Sequence, residues 1–180
     1  MQLRFSTARG TPILCDSTHT LLGTIAGILI HPDTGVVEGF FVHASAGEGN
    51  PFLASIDIVR WGQEVHVHDP DAVFPAQERI RLQPLLEDER LVLGQRIRTE
   101  DGLALGRCRD VQFDTKSMRC QWLFPRRFWR WQRPVPVADI VEIRRDAIIV
   151  CNPERPVTVQ EEVAEATSPL KILKQLPDAG

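Results

Sequence analysis

Between Trp122 and Pro134 the chain places Arg126, Arg127, Arg130 and Arg133 among Trp122, Phe124, Phe128, Trp129 and Trp131. Guanidinium groups pair with phosphates while aromatic rings stack on unpaired bases, so this composition suits single-stranded RNA. The same residues suit a protein interface, where Trp and Arg are the favoured anchors. They also suit an anionic membrane surface, with indoles at headgroup depth. The plain structural alternative is a β-hairpin whose alternate aromatics enter the core while the Arg stems cover its rim. From Thr115 through Ala138 there is no acidic residue, while Lys116, Arg119 and the four arginines above supply six positive charges. Arg126, Arg127, Phe128, Trp129, Arg130, Trp131 and Arg133 are therefore the candidate partner-binding residues.

Other chemistry has less support. His66 and His68 lie two apart on one strand face, a spacing compatible with a pair of metal ligands, but with Val65 and Val67 turned inward both imidazoles are expected to face solvent. No third ligand is evident, and neither a metal nor a cofactor is expected. There is no G-x-S-x-G, no phosphate-binding Walker loop and no G-x-G-x-x-G after a strand, so the chain is not expected to be an enzyme. Asp57 and Asp139 occupy matching places in two halves of the chain, which points to architecture such as the capping of turn amides rather than to an acid/base pair. Cys15, Cys108, Cys120 and Cys151 form no C-x-x-C pair and read as buried, reduced thiols.

The 180 residues are 43% hydrophobic and 25% charged, an ordinary globular composition that excludes wholesale disorder. The net charge of -3 excludes a uniformly basic nucleic-acid binder. That average conceals a division: Met1 to Pro70 holds 3 basic against 7 acidic residues, and Leu86 to Pro153 holds 13 against 10. No apolar run approaches the roughly 20 residues of a membrane-spanning helix, and the first residues do not resemble a secretion signal. A cytoplasmic setting is expected.

The elements that position these residues occur twice. Residues Gly23 to Ile30 align with Gly106 to Phe113 at a shift of 83, and Val37, Gly39 and Phe41 then match Cys120, Trp122 and Phe124 as one apolar strand face. Val65 and Val67 match Ile148 and Val150, and Asp57 matches Asp139 at a shift of 82, implying one inserted residue. Turn signals such as Asp33-Thr34-Gly35 and Asp101-Gly102 punctuate short strands, and long amphipathic helices are absent. The segment matching the basic aromatic loop, residues 44–51, contains no basic or aromatic residue. The predicted organisation is all-β: a first unit over 1–83, a second over 84–153, and a tail over 154–180 in which Ser168 and Pro169 could start a short helix.

Both copies resemble the PRC-barrel family, a small β-barrel shared by the photosynthetic reaction-centre H subunit and the C-terminal half of the ribosome maturation factor RimM. The resemblance is carried by Leu93-Gly94-Gln95-Arg96-Ile97, Asp101-Gly102 through Gly106, Asp110-Val111-Gln112-Phe113-Asp114 and Pro136 through Val141. In the first copy Thr11-Pro12-Ile13-Leu14, Leu22-Gly23 and Asp33-Thr34-Gly35 fit, but Gly27 and His31 replace the two aspartates. The resemblance implies two tandem PRC-barrel-like barrels acting as a non-catalytic docking or adaptor protein. A protein partner is expected, and a homo-oligomer is compatible with such a module. The alternatives are an RNA- or ribosome-associated maturation factor using loop 124–134, and a small-molecule or metal-binding barrel. Membrane contact and DNA binding are not expected.

Overall fold

A computed structural model describes residues 1–44 and 51–152. The loop 45–50 and the tail, including the expected helix at Ser168, lie outside the described residues. The first half contains β1 (Gln2–Arg4), α1 (Phe5–Ala8), β2 (Pro12–Cys15), β3 (Thr20–Ile30), β4 (Val37–Ala44), β5 (Pro51–Ala54), β6 (Ile58–Trp61), β7 (Val65–Val67) and β8 (Val73–Pro75). After α2 (Gln83–Leu86) come β9 (Arg96–Thr99), β10 (Ala104–Asp114), β11 (Arg119–Arg127), β12 (Arg130–Trp131), β13 (Val135–Pro136), β14 (Ile140–Ile143) and β15 (Ala147–Val150). The chain is mostly β, with curled sheets and a half-barrel.

Two sheets form, with one plan. In the first, the order is β6-β7-β2-β3-β4-β5-β8; in the second, β12-β11-β10-β9-β15-β14, with β13 on β11 and β1 on β10. β2 pairs parallel with β7, as β9 does with β15, within otherwise antiparallel ladders. The irregularities repeat as well. Ladder breaks leave Leu22, Ala26, Glu38 and Val59 as extra residues in the first half. Leu105, Arg109, Gln121 and Val141 are the extra residues in the second. Each pair is separated by 83 positions, or by 82 for Val59 and Val141, the shifts found in the sequence. A bulge bends a strand and is a built feature of a fold, so its fourfold recurrence shows that the repeat is one of backbone geometry.

These bulges correct one sequence expectation. Val37, Gly39 and Phe41 do not share a face: the bulge at Glu38 puts Val37 with Phe40 and Val42, all buried, and sends Phe41 to the other side. In β11 the bulge at Gln121 likewise groups Cys120 with Leu123 and Pro125, leaving Trp122 and Phe124 outward.

The two halves meet through equivalent parts. Val36 and Arg119, 83 positions apart, form an antiparallel bridge with each other, the self-complementary contact of a twofold interface. Around it the Val37 amide donates to the Met118 carbonyl and the Cys120 amide to the Gly35 carbonyl, at 2.7 and 2.9 Å. One core runs through both sheets. Phe40, Trp61 and Phe113 form a ring cluster with centroids 5.1 to 5.7 Å apart, joining Ile13, Ile25 and Val65 to Ile97, Val111 and Ile148. A smaller cluster of Phe52, Ala54, Ala76 and Leu82 packs with Phe41, Phe74 and Leu86 on the outer side of β4 and β5. It is closed by β8 and by the short helical turns that follow it.

Candidate functional site

β11 and β12 pair with Arg126 opposite Trp131 and Arg127 opposite Arg130, leaving Phe128 and Trp129 as a two-residue loop. The Gln132 amide donates to the Pro125 carbonyl at 2.9 Å and holds the returning strand. Phe128 has φ of 53° while Trp129 is not left-handed, a pattern that normally selects glycine at the first position of a tight hairpin. An aromatic residue in that conformation costs free energy, and nothing in the core recovers it: Phe128 is 82% exposed and Trp129 84%. Trp131 is 53% exposed and Trp122 38%. The hairpin aromatics thus do not enter the core; Leu123 and Pro125 fill the inward positions.

Arg126, Arg127, Arg130 and Arg133 are all exposed. Among the described residues, the arginines in ion pairs are Arg4, Arg79, Arg90, Arg144 and Arg145, and none of the hairpin arginines is among them. Arg126 lies over the Trp131 ring at 5.6 Å and Arg127 over Phe128 at 6.0 Å, within the range of cation–π attraction.

A further arginine, outside the hairpin and invisible to any local motif, braces it. Arg4 at the end of β1 sits 4.0 Å over Phe124 and 5.4 Å from the Trp131 centroid. It is oriented by Asp110, whose carboxylate is 1% exposed and accepts from Arg4 Nε at 2.9 Å. The same carboxylate accepts from the Ser6 amide, the Ser6 hydroxyl and the Val111 amide at 2.9, 2.6 and 2.9 Å. A buried carboxylate with this many donors is well satisfied. It fixes α1 and the end of β1 against β10, and through Arg4 it fixes the aromatic face of the hairpin. The base of the hairpin also depends on Gly106, at φ 125°, where a Cβ would stand 2.6 Å from the Arg126 carbonyl oxygen.

No family model matches the chain, and no curated protein sequence matches it.

The remaining candidates fall elsewhere. His68 is exposed, but His66 is partly covered: its Nδ1 lies 2.7 Å from Asp16 and its Nε2 3.7 Å from Glu64, with Arg60 beside the ring. The hydrogen bond from His66 holds the Asp16 carboxyl below its usual range. Among the described residues no group of three or more His, Cys, Asp or Glu side chains is arranged to hold a metal ion. Asp57 pairs with Arg79, which stacks on Phe74 at 4.1 Å, so it ties the covering segment to the first sheet rather than capping a turn. Carboxylates that do cap turns include Asp114, which accepts the Lys116 and Ser117 amides at 2.9 Å each, and Asp69, which accepts the Asp71 amide at 2.9 Å. Cys15, Cys108 and Cys120 are buried, and burial pushes the Cys108 and Cys120 thiols up to about 12; Cys151, against expectation, is exposed. Between the two halves a cleft of about 390 Å³ is lined by Ile30, His31, Asp33, Arg90, Leu123 and Glu142. Its one arginine is engaged by Asp33 and Asp88.

Proposed function

We propose that the protein is a non-catalytic docking module made of two tandem PRC-barrel-like units, and that it binds a macromolecular partner through the hairpin 124–134 in the cytoplasm. One observation carries the proposal. A strained two-residue loop presents Phe128 and Trp129 to solvent, flanked by four arginines that no carboxylate neutralises among the described residues. Exposed aromatic surface, backbone strain and unpaired like charge each lower stability, and their coincidence at one tip is what a contact surface requires. The repeated strand plan and the PRC-barrel-like motifs support the module; the absence of nucleophile and cofactor motifs in the sequence supports a binding role.

The test compares the wild-type chain with a variant carrying Trp129→Ala, Arg130→Ala and Trp131→Ala in a pull-down from cell extract. All three side chains are exposed, so the variant should lose the partner while its thermal midpoint falls by no more than the lost contacts of Trp131 with Arg4 and Arg126 account for. Unchanged recovery of the same partner overturns the proposal.

A further inference from the structure

Strand pairing brings together arginines that are far apart in sequence. Arg96 on β9 lies opposite Arg107 on β10, Arg107 lies opposite Arg126 on β11, and Arg126 lies opposite Trp131 on β12. Directly opposed residues point to the same face of a sheet at about 5 Å spacing, so three guanidinium groups and an indole form one row across four strands. All four side chains are exposed, and none of the three arginines is ion-paired among the described residues. The Arg107 guanidinium donates to the Gly94 carbonyl at 3.0 Å. Like charges in direct opposition destabilise a sheet, and the fold does not need them. The equivalent row in the first repeat is Pro12, Thr24 and His43. Asp110, three residues along β10 from Arg107, is engaged by Arg4.

Resting on the docking role of the hairpin, we infer that its partner is a single-stranded nucleic acid whose successive phosphates lie along Arg96, Arg107 and Arg126, with a base stacked on Trp131. A regular row of cations ending in an aromatic ring matches a chain of regularly spaced anions that carry flat bases. An acidic peptide offers the charge without the stacking faces. A bilayer is flat, whereas the row stands off the face of the sheet and the tip at Phe128 and Trp129 extends along the strands, so one plane does not serve both.

Fluorescence anisotropy of labelled 12-nucleotide uridine RNA and thymidine DNA, titrated with the full chain between about 50 and 300 mM salt, tests this. Three single-strand phosphate contacts give a slope of log K against log salt of about -2 or steeper. R96Q/R107Q/R126Q should flatten the slope by about 2 and leave the thermal midpoint unchanged or higher, while Trp131→Ala should weaken binding roughly tenfold. Tighter binding of the RNA or of the DNA then names the source of the strand, and either supports the inference if it depends on the row. It is overturned by no binding at about 50 mM salt, by a slope that the triple variant leaves unchanged, or by stronger binding to phosphatidylserine vesicles or polyglutamate than to both oligonucleotides. Loss of a protein partner on changing Trp129 and Trp131, without oligonucleotide binding, would overturn this inference and leave the docking role standing.

Discussion

The two repeats share their bulges but use their outer faces in opposite ways. In the first, Phe41 and Phe52 meet edge to face at 5.3 Å beneath Phe74, Ala76 and Leu82. At Gly39 the backbone passes so close that a Cβ would fall 2.3 Å from the Leu53 carbonyl oxygen. In the second, the positions equivalent to Gly39 and Phe41 are Trp122, which stays exposed, and Phe124, whose cover is Arg4 rather than a hydrophobic segment. One face is finished as core and the other is left as aromatic and cationic surface. A common backbone therefore tolerates both, and the difference lies in side chains that the fold itself does not dictate.

The sharpest way to break this comparison is to truncate one aromatic on each face. Phe52 is fully buried, and Phe52→Ala should cost about 3–5 kcal/mol through lost transfer energy and the cavity left behind. Trp129 is 84% exposed, and Trp129→Ala should change stability by no more than about 0.5 kcal/mol. Urea denaturation of both variants reads the contrast directly. Similar losses at the two sites would mean that the hairpin aromatics are structural after all.

A smaller effect of opposite sign is expected at the tip. Phe128→Gly relieves a left-handed residue of its Cβ conflict and should raise stability by up to about 1 kcal/mol, once the extra chain entropy of glycine is subtracted. Trp129→Gly, at a position without positive φ, should bring no such gain. If Phe128→Gly also weakens partner binding, stability and function are opposed at this residue. A loss of stability with Phe128→Gly would show that the ring makes contacts that outweigh its strain.

Much of this contrast is legible in the sequence, because composition is local. The arginine and tryptophan cluster, its missing counterpart in residues 44–51 and the repeat itself are all visible without coordinates. What period-two alternation does not reveal is where a strand inserts an extra residue. Glu38 and Gln121 reverse the inward face of their strands, so Phe40 and Leu123 reach the core instead of Gly39 and Trp122. Register is likewise a property of pairs of strands. The row from Arg96 to Trp131 exists only once β9, β10, β11 and β12 are aligned. Asp110 is visible as part of a strand motif, but its partner Arg4 lies 106 residues away on a strand that belongs by sequence to the other repeat.

The smallest expected effect concerns an ion pair that only the first repeat possesses. Arg90, in the connection between the halves, donates to both oxygens of Asp33 at 2.6 and 3.0 Å and to Asp88 at 2.7 to 3.1 Å. The position equivalent to Asp33 in the second repeat is Lys116, so the clasp has no counterpart there. Hydrogen bonds from Arg90 hold both carboxyls below their ordinary value of 3.8. A carboxyl depressed in the folded state stabilises it above the unfolded value and loses that contribution as pH falls through the lower folded value. Wild type and Arg90→Gln should therefore differ in urea midpoint by a constant amount from neutral pH down to about 4, and the gap should close below that. Because Asp33 is open to water the gap should be small. A gap that persists in strong acid would assign the contribution of Arg90 to packing of its aliphatic stem rather than to its charge.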